Sequence, residues 1–255
     1  MSIEIAIFLA IASGFAGFVD AMAGGGGLIQ LPALLVGLPN KELPLILGTN
    51  KVPSIFGTAA AARNYFKNIK PDIPLTLIMM APAFAGSMGG AALAASVPKD
   101  FFKPFIVFLL VVVAIYTWRK PELGISENLR FTHKKRLLIV GLIGLMIGFY
   151  DGIFGPGTGT FLVFFLVSTI GYAFLKASAT AKLVNIATNA GAILSFQLTG
   201  HIWWQLGLLL AFANVTGAIL GSRLAIRGGS TLVRKVFLAV TFLLIARVAW
   251  DTFIS

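Results

Sequence analysis

The chain has 255 residues and a formal net charge of +11, yet it is 58% hydrophobic and only 11% charged. Soluble domains carry about 25% charged residues, so a soluble globular fold is excluded. The apolar runs are long and solid, as helical membrane spans require, and lack the alternation of a membrane β-barrel. The basic excess sits mainly at segment ends, where cytoplasmic loops hold it, so a lipid bilayer is expected as partner and nucleic acid is not. There is no cysteine, which excludes disulfides, thiolate catalysis and Cys-based metal sites. The apolar N-terminus has no basic flank and no obvious cleavage site, and reads as a first helix rather than a removed signal.

Ten apolar segments follow in order: 3–23, a short 28–38, 45–66, 73–96 and 101–118, then 137–154, 160–175, 177–199, 203–225 and 233–253. The fold class read from them is an all-α polytopic membrane protein. Residues 119–136 form the longest polar stretch and divide the chain into a first membrane repeat, 1–118, and a second, 137–255, within one integrated membrane domain.

The division is a duplication. Gly17-Phe18-Val19-Asp20, followed by Gly24-Gly25-Gly26-Gly27, returns as Gly148-Phe149-Tyr150-Asp151, followed by Gly155-Pro156-Gly157, at an offset of 131. The same offset pairs Thr49 with Thr180, Lys51 with Lys182, Gly86 with Gly217 and Gly90 with Gly221. Such repeats are common in transporters. The central linker holds Arg119, Lys120, Arg130, Lys134, Lys135 and Arg136, and is placed inside. Counting crossings from it puts Arg63, Lys67, Lys70, Lys176, Arg223, Arg227, Arg234 and Lys235 inside as well, and only Lys41, Lys99 and Lys103 outside. Both termini then lie outside and the halves are inverted. The rival arrangement makes 3–38 one broken span; at 1.5 Å per residue that is about 54 Å, far beyond a ~30 Å hydrocarbon core. Segment 28–38, about 16 Å as a helix, either crosses or forms a re-entrant hairpin with the first; parity is the same.

Glycine breaks inside spans release backbone groups, which survive only under protein cover or beside a wet cavity. Pro156 aligns with Gly25, so both halves break here by different means. The helix after each break presents free N–H groups and a positive dipole end, a ready anion site; the plainer explanation is tight packing by small residues. Asp20 and Asp151 are carboxylates within spans, functional by default. They read as proton or ion couplers or as counter-charges to lysine, against simple capping of the broken helix. Lys51 and Lys182 either snorkel to the interface or bind an anion. Inversion brings Lys51 near the level of Asp151 and Lys182 near that of Asp20, so two ion pairs between the halves are possible. Thr49, Asn50, Ser54, Thr180, Asn185, Thr188 and Asn189 surround the lysines, as a hydrated path or as interhelical glue. Arg63 and Asn64 read as interfacial anchors, and Trp118, Trp203, Trp204 and Trp250 as an aromatic belt.

These paired motifs, with Gly48-Thr49-Asn50-Lys51 and Lys176-Ala177-Ser178-Ala179-Thr180-Ala181-Lys182-Leu183-Val184-Asn185, resemble those of the TauE/SafE family, the sulfite exporter or toluene-sulfonate uptake permeases, over nearly the whole chain. The resemblance implies a multi-pass bacterial inner-membrane transporter of small sulfur-containing anions such as sulfite or organosulfonates. It points to Asp20, Gly24, Gly25, Gly26, Gly27, Thr49, Asn50, Lys51, Asp151, Gly155, Pro156, Gly157, Thr180, Lys182 and Asn185 as site residues. The family is usually described with fewer than ten spans, so short or re-entrant pieces are expected. Independently, three sulfonate oxygens suit helix N-termini, Thr and Asn donors and a lysine charge. A P-loop is absent, so a secondary carrier is expected, with proton coupling or anion exchange open. An anion channel on the same site is the alternative. His-Glu-x-x-His and Gly-x-Ser-x-Gly are absent too, so neither an enzyme nor a bound cofactor or metal is expected.

Overall fold

The computed structural model describes residues 2–94, 111, 115, 117–119 and 122–253. Segment 101–118 lies mostly outside them, as do Lys99, Lys103, Lys120 and the side chains of Arg247 and Trp250. The described residues form helices and no strand: α1 (Ile3–Ala23), α2 (Gly27–Gly37), α3 (Leu43–Asn68), α4 (Ile73–Leu93), α5 (His133–Ile153), α6 (Thr158–Phe165) with a π-turn over Leu166–Ile170, α7 (Phe174–Leu198) and α8 (Trp204–Phe253). By length and composition, α1, α4, α5 and α8 up to Leu243 are apolar enough to cross a membrane. Helices α3 and α7 have 26 and 25 residues, about 38 Å each, but are diluted by the polar residues around Lys51 and Lys182. Ile7, Ile11 and Phe15 on α1, Leu138, Leu142 and Phe149 on α5 and Leu208 and Phe212 on α8 are exposed, an outer surface that matches lipid tails.

Gln30 lies against Ser13, and Gly37 lies against Leu9 and Ile5, so α2 runs back along α1 toward its start. The second half does the same: Thr158 reaches Asp151, Tyr150 packs edge-on against Phe161 at 5.3 Å, and Ile170 accepts from the Arg130 N–H just before α5. These are two antiparallel helical hairpins that open toward opposite ends of the molecule. One end carries Lys41 over Trp203 and the Trp203 N–H bonded to Thr49. The other carries the linker, with Gly124 accepting from the Phe174 N–H at 2.7 Å and Glu127 paired to Lys176 at 2.8 Å.

The scaffold is close helix packing at small residues. Helix α1 packs on α8 and α5 on α4. A Cβ placed on Gly17 would lie 2.2 Å from the Asn214 carbonyl oxygen, and one on Gly148 would lie 2.2 Å from that of Ala83; a shift of 131 exchanges the two contacts.

Segments 203–225 and 233–253 are two helices within the span labelled α8, parted at a kink where Gly229 (φ 64°, ψ −169°) leaves the helical region. Asn64 Nδ2 donates to Ser222 Oγ at 2.9 Å and ties α3 to α8.

Candidate functional site

Each hairpin turns on a glycine that a side chain would block. Gly24 closes α1 in the left-handed region (φ 80°), its N–H donating to the Asp20 carbonyl at 2.8 Å. A Cβ there would sit 2.2 Å from Gly159 backbone. Gly155 takes the same conformation (φ 87°) after α5, and its Cβ would sit 2.7 Å from Lys51 Nζ. Pro156 lies just past the end of α5 at Ile153 and has no N–H with which to resume the ladder; its carbonyl accepts from the Tyr150 hydroxyl at 2.5 Å. The two turns touch. Thr160 donates its N–H to the Gly24 carbonyl at 3.2 Å and its hydroxyl to that of Ala23 at 3.1 Å.

Both lysines reach across to the opposite half. Lys51 Nζ on α3 pairs with Asp151 Oδ1 at 2.9 Å and donates to the Asp151 carbonyl at 2.6 Å. Lys182 Nζ on α7 pairs with Asp20 Oδ2 at 2.8 Å and donates to the Asp20 carbonyl. Pro53 removes an N–H that the Thr49 carbonyl would otherwise accept, loosening α3 beside Lys51. The pairs are not equivalent. Lys51 and Asp151 side chains are each 3% exposed, whereas Asp20 is 16% exposed. Asp151 Oδ1 also accepts from Thr158 Oγ1 at 2.7 Å, but its buried Oδ2 has no hydrogen-bond partner among the described residues. Asp20 Oδ1 accepts from the Gly26 N–H at 3.3 Å, at the start of α2.

Between the pairs lies a cavity walled by Asp20, Gly24, Gly27, Asn50, Lys51, Ser54, Asp151, Gly155, Gly159, Asn185 and Asn189, of about 10 Å³. That is room for roughly one water, so this conformation is closed to an anion of sulfite size. Asn189 Nδ2 donates to Asn185 Oδ1 at 2.5 Å, and the buried Asn50 Oδ1 and Asn189 Oδ1 have no partner among the described residues. A second cavity of similar size adjoins it, sharing Asp20, Gly27, Asn50 and Ser54 and adding Gln30 and Asn214. The arrangement offers what a small oxyanion needs: two ammonium groups, amide side chains and the N-terminal ends of two helices. No group of three or more His, Asp or Glu that could hold a metal occurs among the described residues.

The structure thus brings Asp20, Gly24, Gly27, Asn50, Lys51, Asp151, Gly155 and Asn185 to one cavity wall, with Lys182 bound to Asp20. Gly25, Pro156 and Gly157 shape the turns and are not in that wall; Gly26 lines the adjoining cavity. Thr49 and Thr180 stand apart. Thr49 Oγ1 accepts from the Trp203 N–H at 2.9 Å, and buried Thr180 Oγ1 has no partner. Sequence reasoning missed Thr158, Gln30 and Asn214. Gln30 is an amide inside the apolar run 28–38, and the rule that singles out Asp20, polarity within a span, applied to it equally.

Paired helical hairpins, polar side chains converging on their turns and an apolar exterior define a polytopic membrane protein of transporter type. The family model described as sulfite exporter TauE/SafE matches residues 9–248, and the chain belongs to that family. Relatives include a probable membrane transporter protein, ORF9, of Sinorhizobium sp, 37% identical over 98% of this chain and 95% of its own. Others come from Haemophilus influenzae (34% identical; 92% and 91%) and Escherichia coli K12 (YfcA, 32% identical; 93% and 87%), both named probable membrane transporter proteins. No solved structure matches the chain.

Proposed function

We propose that the protein is a secondary exporter of small sulfur-containing anions such as sulfite or organosulfonates, which bind between two inverted repeats at the glycine turns. The observation that carries this is the pair of crossed ion pairs, Lys51–Asp151 and Lys182–Asp20, set against touching helix breaks. An arriving anion competes with each carboxylate for its lysine. Protonation of the carboxylate frees that lysine, which couples solute to protons. Asp20, the more exposed acid and a wall of both cavities, is the first within a proton's reach. The exchange of contacts under the 131-residue shift supports duplication, with repeats at 1–118 and 137–255 about the linker 119–136. Family membership supports transport rather than catalysis. The closed cavity supports a carrier over an open channel. The basic end is assigned to the cytoplasm, which leaves both termini periplasmic in a bacterial inner membrane.

The test is binding and uptake of sulfite, thiosulfate, taurine, sulfoacetate and matched carboxylates by reconstituted vesicles. Lys51→Ala and Lys182→Ala should each weaken binding of the best anion by at least about tenfold, the scale of a lost charge-assisted contact. Wild-type affinity in both variants would overturn the site. Carboxylates bound as tightly as sulfur oxyanions would overturn the substrate class.

A further inference from the structure

Gln30, on the first turn of α2, is 3% exposed. Its amide orientation is fixed by a chain of bonds. Asn214 Nδ2 donates to the Ser13 carbonyl at 3.0 Å; a carbonyl only accepts, so the Asn214 atom there is nitrogen. That same nitrogen lies 2.9 Å from the Gln30 amide, which must therefore present its oxygen, Oε1. Gln30 Nε2 is left as the free end, buried and without a hydrogen-bond partner among the described residues. A buried amide donor with nothing to donate to is costly.

Gln30 lines the second cavity, which shares Asp20, Gly27, Asn50 and Ser54 with the cavity between the ion pairs. Gln30 therefore adjoins the place where the anion is proposed to sit. It exists on one side only. Under the 131-residue shift, Ser13, Gln30 and Asn214 fall on Gly144, Phe161 and Ala83, which have no side-chain donor.

We infer that Gln30 is a specificity-determining residue whose Nε2 donates to a second oxygen on the transported anion, and that Asn214 is the positioning residue that turns it. Asp20 in the same wall disfavours a second negative charge there, so the group read is a neutral acceptor such as a hydroxyl. The preferred class is then a short hydroxylated sulfonate over a plain alkanesulfonate. The inference deepens the transport reading and rests on it.

The probes are 2-hydroxyethanesulfonate and ethanesulfonate, which differ by one hydroxyl, competing for uptake in reconstituted vesicles. Wild-type protein should bind the hydroxylated anion about tenfold more tightly, the scale of one hydrogen bond to a buried donor. Gln30→Leu, and Gln30→Glu, which replaces the donor by an acceptor, should bring that ratio to about one. Lys182→Ala should weaken both anions and leave the ratio standing. A wild-type ratio near one, or a ratio that survives in both Gln30 variants because only a resident water meets Nε2, overturns this inference alone. If neither variant folds, the wild-type ratio decides. Failure of wild-type protein to bind any sulfur oxyanion overturns the transport reading and this inference with it.

Discussion

Lys51 and Asp151 show what a charge inside a membrane protein demands. Each is almost fully enclosed, and removing one leaves the other charged and unpaired, which costs about 3–5 kcal/mol in buried pairs. Lys51→Met or Asp151→Leu alone should therefore lower the unfolding temperature in detergent sharply. The double variant Lys51→Met/Asp151→Leu should recover much of that loss while binding no anion through this pair. Equal destabilisation by single and double variants would mean the two residues do not act as a unit. Asp20→Asn should cost less, since Asp20 is partly exposed. These four charges were legible because a span tolerates so few. Thr49 and Thr180 were not, because a hydroxyl in a helix serves a neighbouring backbone as readily as a solute, and only packing decides. Thr49 is held by Trp203, 154 residues away.

The hairpins are the elements that make the site, and they turn on glycine. At Gly24 the backbone is left-handed and Gly159 backbone occupies the place of a Cβ. Gly24→Ala should cost about 2–5 kcal/mol from the two effects together, read as lost folded yield and lowered thermal stability. Gly89→Ala is the contrast: Gly89 lies on the exposed face of α4, with nothing within 4 Å of a built Cβ, and the change should be near neutral. If both substitutions are tolerated alike, the turn is not fixed by that contact. The glycine runs announced a break in the sequence, but not the path of segment 28–38 after it. Its return is set by contacts of Gln30 and Gly37 with α1, which periodicity does not encode. In the second half the turn after α6 is tightened by Gly171, whose Cβ position is filled by the Asn128 carbonyl. That contact comes from the linker, beyond the reach of a local reading.

At the scale of the molecule, the 131-residue shift was readable because charged residues and packing glycines recur in one frame. The structure adds that the recurring positions meet the opposite half rather than their own. The basic residues of the linker end, with Lys176 and Arg234 held there by Glu127 and the Thr117 carbonyl, predict the orientation. A reporter fused after Ser255 should read periplasmic and one inserted in the linker cytoplasmic; the reverse result would overturn the orientation. Because Asp20 and Lys182 are 162 residues apart, their meeting sets a timetable for biogenesis. At roughly 5–20 residues per second, on the order of ten seconds or more passes between synthesis of the acid and of its base. For most of that interval, from the synthesis of Lys51 until that of Asp151, the emerging first half holds Asp20 and Lys51 with both partners still to be made, and the translocon or a chaperone is left to shelter them.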